Sequence, residues 1–254
     1  MNLTIDIGNT RTKLALFDSE QLVKTQILNR EELDNGLISF LEENKEIQHI
    51  ICSAVGAPSN VLATLKISGK LLNLNQDTAL PIDNLYGTIA TLGTDRVSNA
   101  VGAAHLHPGQ YVLIIDMGTC ITLDLVTDGN TYLGGSISNG IHMRFEALNT
   151  FTENLPLIEH DNSNSPDLIG KTTEDSIRSG VINGTIAELC GMIEEYNKQF
   201  APLKILVTGG DAAHFVGILK DRTDWGKNEI FANPNLVHVG LNAILNYNVK
   251  EQLQ

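Results

Sequence analysis

Ile5-Asp6-Ile7-Gly8-Asn9-Thr10 and Ile115-Asp116-Met117-Gly118-Thr119-Cys120 are two copies of one phrase: an apolar, strand-like run, then Asp-x-Gly and a polar residue. One copy opens the chain and the other lies near its middle. A single Asp-Gly turn is common, and the plain reading of one copy is a hairpin with an Asx turn. Two copies in comparable strand contexts predict two similar halves that face one anionic ligand from opposite sides.

The phrase has a physical logic. Residues 3–7 alternate as a strand does, and residues 13–17 resume a second strand after the turn. Gly8 leaves room for an anion to approach the backbone, and successive turn N–H groups form a concave anion nest. Asn9, Thr10 and Thr12 add side-chain donors, and Asp6 is placed to hold a hydrated Mg²⁺ against phosphates. The second copy is followed by Thr119, Thr122 and Asp124. Neither is a P-loop, because no Gly-Lys-Ser/Thr follows and the next element reads as strand.

Working outward, 254 residues suffice for two modest domains, and 42% hydrophobic with 19% charged residues is an ordinary globular mixture. A net charge of −13 argues against a nucleic-acid surface but not against nucleotides. Cys52, Cys120 and Cys190 form no Cys-x-x-Cys pair, which predicts a reducing compartment, no zinc site and three small buried hydrophobes. The seven histidines form no ligand set, His105 and His107 included. With neither a basic leader nor a long apolar run, the expectation is a cytoplasmic protein without membrane contact.

Periodicity predicts helices over 30–44, 61–65, 94–106, 140–149, 176–200 and 237–247, with a further helix after Gly210. Strands are expected over 49–55, 71–74, 111–116, 122–126, 131–137 and 204–210. Residues 76–92 read as irregular structure leading to a site, and 152–167 as a polar loop and mobile segment. The natural boundary is Pro108-Gly109-Gln110, giving domains of 1–109 and 110–254.

Three further signals join the repeat. Gly93-Thr94-Asp95-Arg96 stands where a loop becomes a helix, which keeps a carboxylate ionised and sets a guanidinium beside it. Plain capping, with Thr94 as N-cap and Asp95 at the first helical position, is the alternative. Thr208-Gly209-Gly210 would let a flat base or ribose lie against bare backbone, unless it is an ordinary strand turn. Gly170-Lys171-Thr172-Thr173 leads the long helix with hydroxyl donors, or merely caps it.

In this order and spacing, with Gly134-Gly135-Ser136-Ile137 between, the motifs resemble the type III pantothenate kinases of the acetate kinase, sugar kinase, heat-shock chaperone and actin superfamily. The resemblance covers nearly the whole chain. It implies an α/β fold of two ribonuclease H-like, actin-like ATPase domains, each a mixed sheet flanked by helices, with a nucleotide cleft between them. It implies phosphorylation of the primary hydroxyl of pantothenate by ATP, the first step toward coenzyme A, by a homodimer using Mg²⁺ and K⁺ or NH₄⁺.

Carried over by motif, Asp6, Ile7, Gly8, Asn9, Thr10, Arg11, Thr12 and Lys13 form the first phosphate loop. Asp95 is the general base. Gly93, Thr94 and Arg96 line the pantothenate site, Tyr86 closes it, and Thr173 reaches it across the dimer interface. Asp116 holds the monovalent cation, Thr119 touches phosphate, and Gly209 and Gly210 lie beside adenosine. Two departures stand out: Ser138-Asn139-Gly140 replaces the family's usual Pro-Gly, and Cys120-Ile121 stands where smaller residues are common. The competing readings are a nucleotide-binding regulator of the same fold without catalysis, and a kinase of another small hydroxyl compound.

Overall fold

In the computed structural model, which describes residues 1–8, 11–54, 60–65, 67–159, 166–222 and 229–251, the first copy of the phrase ends the central strand of a sheet. β1 (Asn2–Ile7) turns through Gly8 into β2 (Arg11–Asp18), which turns again into β3 (Gln21–Asn29). After α1 (Leu33–Glu43), β4 (His49–Ala54) returns parallel to β1; α2 (Asn60–Thr64) and then β5 (Leu71–Asn73), parallel to β4, follow. The strand order is β3-β2-β1-β4-β5.

The second copy repeats the plan. β6 (Asp83–Asn84) and α3 (Thr94–Leu106) precede β7 (Tyr111–Met117), β8 (Cys120–Val126), β9 (Thr131–Asn139) and α4 (Ile141–Thr150). There follow α5 (Thr173–Phe200), β10 (Leu203–Thr208), α6 (Ala212–Arg222), β11 (Glu229–Ala232) and α7 (Leu236–Glu251). The sheet order is β6-β9-β8-β7-β10-β11, which matches the first sheet apart from the two-residue β6 added beside β9, with β7 antiparallel to β8 and parallel to β10. Two mixed sheets of one topology are what the internal repeat predicts.

β1 and β7 are buried on both faces except at their penultimate residues, Asp6 and Asp116, and at Tyr111, where β7 begins. Helix α1 covers one face of the first sheet with Leu37 and Phe40, against Leu3, Ile5 and Ile50. Each such side chain contributes roughly 1.5–3 kcal/mol on burial. The core of the second unit gathers Leu113, Ile115 and Val207 with Phe145, Leu189 and Phe215 from its helices. Among the described residues no helix is long and apolar enough to cross a membrane.

The chain divides into two compact units, parted at Pro108/Gly109, with two later segments returning to the first. One unit is Met1–Pro108 with Asn130–Tyr132 and Asn235–Gln254; the other is Gly109–Gly129 with Leu133–Pro234. The terminal helix therefore belongs with the N-terminal sheet. Val237, Leu241 and Ile244 of α7 pack with Val101 of α3 and Ile51 of β4. The Asn2 side chain donates to Asn242 and Asn246, both at 2.8 Å.

One buried pair in this layer makes stability depend on pH. Thr4 Oγ1 on β1 donates to the Ala15 carbonyl at 3.3 Å and lies 2.8 Å from His238 Nδ1. Burial, and secondarily the charge of Lys13, push the ring's pKa down from 6.5 to about 3. The unfolded ring takes up its proton near pH 6.5, whereas the folded ring waits until about pH 3. Stability from this source is therefore complete above pH 6.5 and falls as the pH drops. The slope is at most about 1.4 kcal/mol per unit. Denaturant unfolding at pH 7.5 and pH 5 should show this loss, and His238→Asn should shrink the difference between the two.

Candidate active site

In the first unit Asp6 stands in register with Lys13 on β2 and with Ser53 on β4. The Gly8 N–H donates to the Arg11 carbonyl at 3.0 Å and closes the turn. Arg11 is exposed at its rim. Ile7 is 1% exposed, so its side chain serves the core and only its backbone is open to a ligand. Thr12 Oγ1 is buried with no hydrogen-bond partner among the described residues. Asn9 and Thr10 lie outside those residues.

Ser53 Oγ pairs with Thr94 Oγ1 at 2.8 Å, which ties the end of β4 to the start of α3. The alternative of plain capping does not hold here. Gly93 is the N-cap, no side chain caps the helix, and the Thr94 hydroxyl is engaged with Ser53 instead. Asp95 Oδ1 accepts the Arg96 N–H at 2.8 Å, and the carboxylate stays exposed at the positive end of the helix. A Cβ on Gly93 would stand 2.4 Å from that same oxygen, so the glycine leaves the carboxylate its place.

Arg96 is 6% exposed, with its guanidinium carbon 5.3 Å from the centre of the Tyr86 ring and Nη1 3.4 Å from the Tyr86 hydroxyl. Tyr86 stacks on buried Tyr132 at 6.1 Å. A cavity of about 440 Å³ opens beside Thr94, lined by Asn75, Asn84, Leu92 and Val97 among others. Thus Tyr86, Gly93, Thr94, Asp95 and Arg96 gather in one place, as the sequence predicts, beside the Asp6 strand.

In the second unit Asp116 occupies in β7 the place of Asp6 in β1, in register with Thr122 on β8 and Thr208 on β10. Its turn closes by Gly118 N–H donating to the Cys120 carbonyl at 3.0 Å. Two glycines press upon this turn. Gly209 adopts φ +93°, and a Cβ there would lie 2.4 Å from the Met117 carbonyl oxygen and 2.6 Å from Asp116 Oδ1. Gly140 donates its N–H to the Thr119 carbonyl at 3.1 Å, and its Cβ would lie 2.3 Å from the Gly118 oxygen. Gly210 has open space around it.

The Ser138-Asn139 departure is secured by side chains. Arg144 donates to the Asn139 carbonyl at 2.8 Å and to Glu188 at 2.7 Å, while Ser138 Oγ donates to Glu188 at 2.8 Å. Thr173 opens α5 behind Thr172, which accepts the Asp175 N–H as an N-cap. The capping reading of this motif thus holds for Thr172, and Thr173 is exposed on a broad depression with Leu148, Leu155, Lys171 and Ile177.

Cysteine burial is a correction. Cys52 is buried, its thiol pushed up to about 12 by burial and then by the charge of Asp6, but Cys120 is exposed in the second turn and Cys190 is half-buried. Among the described residues no cluster of three or more His, Cys, Asp or Glu side chains forms a metal cage. Sequence reasoning missed Ser53, Tyr132 and Arg144, whose parts depend on register and packing that no local motif encodes.

The family model for type III pantothenate kinase matches residues 2–195. The type III pantothenate kinase of Christiangramia forsetii is 43% identical to this chain, covering 98% of it and 99% of the relative. That of Cytophaga hutchinsonii is 41% identical, covering 98% and 100%. Among solved structures, the activator of 2-hydroxyisocaproyl-CoA dehydratase from Clostridium difficile, with bound ADPNP, shares the fold at a TM-score of 0.57 and 12% identity, covering 99% and 96%. A glucokinase from an Antarctic psychrotroph does so at 0.56 and 12%, covering 97% and 98%.

Proposed function

This chain belongs to the type III pantothenate kinases and phosphorylates pantothenate with ATP in coenzyme A biosynthesis, and from that premise we propose how its residues divide the work. Asp95 is the general base that takes the proton of the primary hydroxyl as the γ-phosphoryl group arrives. What carries this assignment is its setting. The carboxylate is exposed at a helix start and steadied by the Arg96 N–H, on a helix fastened through Thr94 and Ser53 to the strand beside Asp6.

Phosphoryl transfer asks mainly for positioning and charge neutralisation. Gly8, Arg11, Thr12 and Lys13, with Asn9 and Thr10, cradle phosphate at the first corner, and Thr119 does so at the second. Mg²⁺, held by Asp6 through water, supplies charge neutralisation on the phosphates, and Asp116 holds a monovalent cation, K⁺ or NH₄⁺. The Thr12 hydroxyl, unpartnered among the described residues, and the bare backbone at Gly209 suit such guests. Gly209 and Gly210 lie beside adenosine. Gly93, Thr94, Arg96 and Tyr86 bind pantothenate.

Thr173 completes the pantothenate site in a homodimer. Phe151, Leu168 and Ile169, 84%, 80% and 76% exposed in the same unit, are the apolar surface that such an assembly would cover. The protein works in the cytoplasm, without nucleic-acid or membrane partners. Pantothenate-dependent ADP release, measured with and without K⁺ and against a panel of sugars, tests the assignment, with sedimentation for the dimer. Activity on sugars alone, or a monomer at full activity, overturns the corresponding part.

A further inference from the structure

The two hairpins share a topology but not a length. In the first, four residues (8–11) separate the paired ends Ile7 and Thr12; in the second, three (118–120) separate Met117 and Ile121. Losing one residue slides the second hairpin's return strand by one position. Asp6 therefore faces Lys13 across the ladder, whereas Asp116, at the same place in its strand, faces Thr122. Directly opposed residues share a face and bring their Cβ atoms to about 4.5–5.5 Å. One corner thus places a lysine opposite its carboxylate, and the other a threonine.

That hydroxyl is buried, and Thr122 Oγ1 has no hydrogen-bond partner among the described residues. An unsatisfied buried hydroxyl calls for an explanation, and a bound ion is one. Its cross-strand partner is Asp116, so a carboxylate stands opposite the hydroxyl. Asp116 Oδ1 and the Met117 carbonyl oxygen border the space that the missing Gly209 side chain leaves. Carboxylate, carbonyl and hydroxyl together suit a hard cation.

We propose that Thr122 Oγ1 is a ligand of the monovalent cation at Asp116, and that this cation takes the place Lys13 fills at Asp6. Dependence on a dissolved cation is then a consequence of the shortened hairpin. The inference rests on the reading that Asp116 holds such an ion.

The test follows melting temperature without substrates, in KCl against choline chloride at equal ionic strength, alongside kinase activity. Thr122→Val keeps the shape and removes the oxygen. It should lose the K⁺-specific rise in melting temperature and shift activation by K⁺ to higher concentrations. Thr122→Lys should be active without K⁺ and indifferent to it. A Thr122→Val protein with the unaltered K⁺ response overturns the proposal, as does a folded Thr122→Lys protein that still needs K⁺. If Thr122→Lys fails to fold, the valine variant decides. An unsubstituted protein that ignores K⁺ in both readouts instead overturns the assignment of the ion to Asp116.

Discussion

Asp95→Asn should lower turnover by about 10²–10⁴-fold, the usual contribution of a positioned general base, while ATP still binds. The amide has the outline of the carboxylate, and its oxygen can keep the 2.8 Å bond from the Arg96 N–H. Helix α3 need not move, because its start is held by the Ser53–Thr94 pair and not by Asp95. What disappears is the proton acceptor. The native carboxylate, exposed at the helix start, is the group placed to accept that proton. Steady-state kinetics should show kcat falling with KM for ATP little altered, and circular dichroism should be unchanged. Full turnover in this variant would remove Asp95 from the chemistry.

The parts of the molecule that were legible in the sequence are those where burial and chemistry agree. β1 and β7 are covered on both faces, so they read as apolar runs, and each run ends in the one acidic residue that the fold leaves partly open. Helix α3 has its expected ends because a glycine precedes it and His107-Pro108-Gly109 follows it. β3 went unseen because it is an edge strand with Val23 and Ile27 more than half exposed, so its apolar residues do not mark one buried face. β11 has four residues, too few for a period to show. Two things were beyond any local reading. The Thr94 hydroxyl was free on local grounds to cap its helix, and a distant serine takes it instead. Similarly, the place of α7 is decided by contacts with the far end of the chain.

Those contacts set up the sharpest expected change in stability. Gly240→Ala should destabilise the fold by about 1–3 kcal/mol or more, since overfilling a tight contact forces backbone to move. The added Cβ would sit 1.7 Å from the Ser98 carbonyl oxygen and 2.9 Å from the Gly102 nitrogen. A Cβ on Gly102 would in turn meet the Leu236 oxygen at 2.6 Å, so α3 and α7 meet backbone to backbone and no rotamer relieves the clash. The helices must separate. Ser98 donates to the Thr94 carbonyl at 2.7 Å, and Thr94 carries the link to Ser53, so a displaced α3 takes Asp95 with it. The denaturation midpoint and kcat should therefore fall together. Gly217→Ala in α6 is the matched control, with nothing within 4 Å of the new methyl group. There alanine should stabilise by up to about 1 kcal/mol through helix propensity alone, leaving kcat unchanged. If both substitutions act alike, the close approach of α3 and α7 is not what orients the catalytic helix.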